Sequence, residues 1–287
     1  MRRTAFVAGG FALVIALAGC GGGSDNASGN GSGEALTSPF GSAQELVLAA
    51  SAQTEKSRSS KFTLDMPVEG QELKASGEGR YDGENSALSM TVDASGEITE
   101  LIMVDRVMYV KAEGLGEATG GKPWMKISAD GSDPMSMMMG KMFGELVKNT
   151  DPAKVLGQVK DAGTITRSEQ AELDGQQATH YSIDLEFAKL VDQQAGMGIP
   201  QEMLDKMKEK AGDLTLPMEL WLNSDQLPLQ MTMDMAALNK AAEQLSGQSP
   251  PAAADAGKMI VKYTDWGAPV TIEAPPADQV GEFAMPN

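Results

Sequence analysis

The thiol and the imidazole, the side chains best suited to act as nucleophile and base near neutral pH, occur once each in 287 residues, as Cys20 and His180. A thiol–imidazole pair would make a nucleophile, and either residue could serve a metal with further His or Cys ligands. Neither has such company. Cys20 lies in "ALAGCGGGSDNASGNGSG", between a greasy run and a stretch too polar to fold, and His180 stands on the polar side of an alternating segment. That alternation makes His180 a solvent-facing strand residue. Carboxylates are abundant but scattered, with no Asp-x-Asp-x-Asp-Gly run and no HExxH. Sequence separation does not fix spatial separation, so a carboxylate-only hydrolase stays open as an alternative. Glycine runs occur in 21–33 and at Gly114-Leu-Gly116, without the strand, Lys-Ser/Thr and helix that cradle phosphate. The reading is a protein that is not an enzyme, with no cofactor and no metal.

The surroundings of Cys20 suggest attachment instead. Arg2 and Arg3 precede an apolar run from Phe6 to Ala18, which ends in small residues. This is the pattern of a secretory signal, and the run is shorter than the roughly 20 residues a spanning helix needs. Leu17-Ala18-Gly19-Cys20 resembles the lipobox of bacterial lipoproteins, which implies diacylglyceryl modification of Cys20 and cleavage before it. Residues around the arginine pair match a twin-arginine signal poorly, so export by the Sec route is expected. On this reading 1–19 is a lipoprotein signal peptide, 20–41 a lipidated cysteine with a flexible tether of about 25 Å reach, and 42–287 one folded domain. The folded part then contains no thiol, and its stability rests on its core.

The formal net charge is −17, and it becomes more negative when Arg2 and Arg3 leave with the signal. Such a chain is repelled by phosphates, which excludes nucleic acid as a partner and leaves the anchor, not surface charge, to hold it at the membrane. The expected location is the outer face of the cytoplasmic membrane, as a monomer.

The elements follow from periodicity. Ser42-Ala-Gln-Glu45 predicts a capped helix to about Glu55. From Lys61 the period is two, giving strands over 61–66, 73–81, 86–93, 98–104, 107–112 and 123–128, an antiparallel meander. Helices are predicted over 135–147 and, opened by Asp151-Pro152, to about Lys160. Strands resume at 164–171 and 176–187 around Asp174-Gly175, then helices at 188–196 and 201–211, and strands at 214–222 and 229–235. A helix at 236–245 and strands at 258–264 and 268–273 close the chain. Nearly every strand has one apolar face, so the sheet keeps one side wet and covers the other.

Methionine is the compositional signal. Its 20 copies outnumber all aromatic residues together, and Met135, Met137, Met138, Met139 and Met142 crowd one predicted helix. Unbranched thioethers fill cores or line surfaces that accept varied apolar partners. They are also soft ligands, and Met135-Ser-Met137 has a copper-handling spacing, though no His or Cys supports it.

Several motifs in order carry a resemblance. The signal and lipobox, the capped helix, the meander, Asp174-Gly-Gln-Gln-Ala-Thr-His-Tyr181, Met218-Glu-Leu-Trp-Leu222 with Leu227-Pro228, Tyr263-Thr-Asp-Trp-Gly-Ala-Pro-Val-Thr-Ile272 and Ala274-Pro-Pro276 together resemble actinobacterial LolA-like lipoproteins of the LppX/LprG type. The resemblance spans most of 42–280. It implies an α+β fold: a large antiparallel half-barrel sheet of eleven or twelve strands, with helices on its concave apolar face. It also implies a hydrophobic cavity that carries acyl chains of a lipid or glycolipid within the cell envelope. It extends to fold and role, not to individual contacts.

Combined with the alternation, it predicts a cavity lined by Leu88, Met90, Val92, Met108, Val110, Met138, Met142, Ile183, Leu185, Met218, Leu220, Met231 and Met233. The competing reading is a surface sensor or regulatory lipoprotein that binds a protein partner and has a solid core. Methionine-based copper handling is a third.

Overall fold

The computed structural model describes residues 40–68, 71–116, 119–128, 151–193, 201–246 and 257–282. Cys20, the tether and the helix predicted over 135–147, with Met138 and Met142, lie outside the described residues.

Helix α1 (Ala43–Ser57) starts where the capping residues place it. Glu45 N donates to Ser42 Oγ at 3.3 Å, and the Glu45 carboxylate reaches back to accept from Gly41 N at 2.9 Å. Six strands follow: β1 (Ser59–Val68), β2 (Gln71–Arg80), β3 (Ala87–Ala94), β4 (Glu97–Val104), β5 (Val107–Lys111) and β6 (Trp124–Ser128). Helix α2 (Pro152–Ala162) opens on Asp151, whose carboxylate accepts from Ala153 N at 2.9 Å, with proline at its first position.

The second half contains β7 (Gly163–Leu173), β8 (Gln176–Glu186), α3 (Phe187–Gln193), α4 (Gln201–Ala211), β9 (Thr215–Leu222), β10 (Pro228–Asp234), α5 (Met235–Ser246), β11 (Lys258–Thr264) and β12 (Val280–Glu282). Asp174 and Gly175 both take positive φ at the β7–β8 turn, a conformation that suits a tight hairpin.

Among the described residues, all twelve strands join one open sheet, in the order β12-β6-β5-β4-β3-β2-β1-β11-β10-β9-β8-β7. The two runs of strands meet where β1 pairs with β11, Phe62 opposite Tyr263 and Leu64 opposite Val261. This is the expected α+β half-barrel. One pairing departs from antiparallel: β12 lies parallel to β6.

The inner face carries the core. Leu46, Val47 and Ala50 of α1 and Leu156 and Val159 of α2 pack on Tyr181, Ile183, Leu185, Leu216, Leu220 and Leu222 of β8 and β9. A second cluster, Leu88, Met103 and Met108, with Met90, Leu101, Val110 and Ile127 against it, lies on the same face of β3–β6.

The end of the chain corrects the sequence reading. Residues 268–273 form no strand. They cross the outer face, where Val270 and Ile272 pack on Ala87, Ile102, Val104 and Tyr109. Ser59 anchors this strap twice, its Oγ donating to Ala268 O at 2.7 Å and its carbonyl accepting from Gly267 N at 2.9 Å. The strap's apolar alternation is real, but it serves packing against a sheet face, not pairing at an edge. The parallel strand β12 is the element the sequence did not signal.

Gly157, inside α2, has open space where a side chain would project. Gly157→Ala is therefore expected to stabilise the fold by about 0.5–1 kcal/mol through helix propensity and a restricted unfolded chain. Chemical denaturation would register this as a higher midpoint.

Candidate functional site: an apolar cavity

Between α2 and the inner face lies a cavity of about 470 Å³. Its walls come from Phe62 and Leu64 on β1, Leu73 and Ala75 on β2, and Met90 and Val92 on β3. Opposite are Leu185, Met218, Met231, Thr232 and Met233 on β8–β10, and Met259, Val261 and Tyr263 on β11. Val155 and Val159 of α2 complete it. Only Thr232 and Tyr263 among these bear a hydroxyl, and none bears a charge.

The volume falls within the about 300–1,000 Å³ of small-molecule sites, and such a lining offers apolar contact and almost no polar orientation. Strand register creates it: small Ala75 lies between Leu64 and Val92, so the floor is low where α2 passes above it.

Of the residues the sequence nominates, Met90, Val92, Leu185, Met218, Met231 and Met233 come together on this cavity. Five others do not line it. Ile183 and Leu220 are sealed at 1% and 0% exposure under α1 and α2, and Leu88, Met108 and Val110 belong to the second cluster. Alternation places all five on the inner face, but the first two lie in the helix-covered core and the other three pack with Leu101, Met103 and Ile127 away from the cavity. Phe62, Leu64, Leu73, Ala75, Met259 and Val261 also line the cavity, and period two orients each of them. The missing information was the β1–β11 pairing, which unites the two ends of the domain.

Tyr263 forms the cavity's polar boundary. Burial pushes its phenol well above the ordinary tyrosine range, and nearby Tyr81 and the Asp151 carboxylate add to the effect. Burial likewise raises Tyr81 from 10.0 to about 12, opposed by its hydrogen bond with Ser60 at 2.9 Å and reinforced by Asp151. Because folding raises these pKa values, the folded state holds the protons more tightly. The resulting stability is complete below pH 10 and is lost as the pH climbs through about 12. Tyr81 alone accounts for roughly 2–3 kcal/mol of that loss. The expected result is a denaturation midpoint that falls steeply above pH 10, with a shallower fall in Tyr81→Phe.

His180 lies on the outer face, as alternation requires, but its side chain is only 17% exposed. Trp221 stacks on it at 4.0 Å and 12°, Glu219 bonds Nε2, and Glu169 lies 3.4 Å from Nδ1. Cross-strand pairing of His180 with Glu169 and Trp221, and of Ser182 with Glu219, brings these neighbours in. Ser182 Oγ donates to the Glu219 carboxylate at 3.0 Å, so hydroxyl and imidazole converge on one oxygen instead of forming a nucleophile–base pair. This cluster lies across the sheet from the cavity. Among the described residues no group of three His, Cys, Asp or Glu could hold a metal, and no helix is long and apolar enough to cross a membrane.

No protein-family profile matches the chain. A search of curated proteins finds similarity to an uncharacterized 31.2 kDa protein of the rplA-rplJ intergenic region of Streptomyces griseus, at 22% identity over 227 residues, 74% of this chain and 69% of that protein. Among solved structures the chain is similar to LprF from Mycobacterium bovis, with 19% identity, a TM-score of 0.45, and coverage of 81% of this chain and 96% of that one.

Proposed function

We propose that the protein is a lipid-anchored, extracytoplasmic carrier that holds acyl chains of a lipid or glycolipid in the cavity and moves them within the cell envelope. The supporting observation is the cavity itself: about 470 Å³ of space, partly open to solvent, with an almost wholly apolar lining. An acyl chain entering it gains about 0.8 kcal/mol per buried methylene before the cost of immobilising it. Carriage needs no catalytic group, and the His180 cluster offers none to the cavity. A regulatory lipoprotein of solid core would have no use for this space. The copper alternative draws on Met135-Ser-Met137, outside the described residues.

Two measurements test the proposal. The full chain, purified and extracted with organic solvent, is expected to yield lipid by mass spectrometry and to transfer lipid between vesicles. Absence of both would overturn the carrier reading. For the anchor, the unaltered protein is expected to incorporate labelled fatty acid and Cys20→Ala to incorporate none. Equal labelling of the two proteins would remove Cys20 from that role.

A further inference from the structure

The cavity has two unlike walls. On one side stand Phe62, Leu64, Met90 and Val92, with Val155 and Val159 of α2 above. The four valine and aromatic side chains here hold to few rotamers, and with Met90 as its single thioether this wall yields little to a ligand's shape. On the other side the register sets Met218 opposite Met233, and Met233 opposite Met259. Three thioethers on three adjacent strands thus form one row along the cavity, with Met231 next to Met233 on the same strand. Met218 is 4% exposed, while Met233 and Met259 are half-buried. Each is unbranched, with three rotatable side-chain bonds and a polarizable sulfur, so it can change shape without moving the backbone.

We propose that the Met218–Met233–Met259 row is the cavity's specificity determinant: a yielding wall through which it accepts acyl chains bent by a cis double bond or thickened by methyl branches as well as straight ones. The proposal rests on the reading of this cavity as an acyl-chain site. A kinked chain presses sideways on its container. Against the stiff wall that pressure meets fixed side chains, and against the row it meets groups that repack at little cost. The ligand class is therefore broad in chain shape and narrow in polarity.

The test uses the full chain and displacement of a fluorescent acyl probe by three neutral glycerol monoesters: palmitoyl (straight), oleoyl (cis-bent) and phytanoyl (methyl-branched). Neutral head groups avoid repulsion by the chain's −17 charge. The unaltered protein is expected to bind all three within about threefold of one another. M218L/M233L/M259L conserves volume but branches each side chain. It is expected to bind the palmitoyl ester as before and the other two about tenfold more weakly. Protein with norleucine in place of methionine keeps the unbranched shape without sulfur, and is expected to behave as the unaltered protein does.

Undiminished binding of the bent and branched esters by the triple variant would overturn the proposal. So would equal loss of all three, or failure of the norleucine protein, which would assign the effect to sulfur. Failure of the unaltered protein to bind any ester is a separate result and would instead overturn the acyl-chain reading.

Discussion

Ala75→Trp is expected to weaken acyl-chain binding by about a hundredfold while leaving the far-UV circular dichroism spectrum unchanged. Ala75 sits on the cavity floor, in register with Leu64 on one side and Val92 on the other. An indole at this position projects into the 470 Å³ of empty space, so the cost of overpacking a filled core does not apply in full. What it displaces is ligand. Excluding about four methylenes at about 0.8 kcal/mol each removes about 3 kcal/mol, or roughly two decades in Kd. Titration with a fluorescent acyl probe reads the change directly, and organic extracts of the variant should contain correspondingly less lipid. Met108→Leu in the second inner cluster is the control, since Met108 packs with Leu88 and Met103 and lines no part of this cavity. If Ala75→Trp binds with unaltered affinity, the acyl chain lies elsewhere.

The strands were legible because their alternation is strong and their turns are short. Tyr181, Ile183 and Leu185 against His180, Ser182 and Asp184 give both the strand and its buried face, and Asp174-Gly175 gives the hairpin. What alternation cannot supply is the identity of whatever covers that face. Ile183 and Leu185 are two residues apart and point the same way, yet the first is sealed in the helix-covered core and only the second reaches the cavity. The difference is the course of α2, which depends on contacts distant in sequence. Pairing of β1 with β11 is similarly non-local, and it alone sets Leu64 beside Val261.

The covering role of 268–273 does leave a trace in the sequence. Leu101-Ile102-Met103-Val104 is continuously apolar, where a half-exposed strand would alternate. Leu101 and Met103 belong to the inner cluster, and Ile102 and Val104 lie under Val270 and Ile272 of the strap. A strand apolar on both sides signals a second covering layer, and 268–273 was the alternating segment available to provide it. Val280–Glu282 carried no comparable signal, being three residues long and containing a glycine. The outer-face cluster around His180 was likewise unsignalled. Its members Glu169, Ser182, Glu219 and Trp221 come from three strands whose neighbours are fixed only by the assembled sheet.

Gly77→Ala is expected to destabilise the fold by about 3 kcal/mol, lowering the urea midpoint by about 1 M. Gly77 lies in β2 between Phe62 of β1 and Met90 of β3. A Cβ there would stand 2.3 Å from the carbonyl oxygen of Ser89 and 2.8 Å from the Met90 Cβ. These atoms are the backbone and the first side-chain atom of β3, so no rotamer change relieves the clash. The β2–β3 ladder must open instead. That places the effect at the upper end of overpacking costs, and opposite in sign to Gly157→Ala, where the added methyl meets nothing. Ala75, Met90 and Val92 flank the same ladder and line the cavity, so parting the strands also disturbs the wall against which an acyl chain would rest. The variant should therefore lose affinity for the probe even at temperatures where it remains folded. An unchanged urea midpoint would mean that β2 and β3 do not approach this closely in solution.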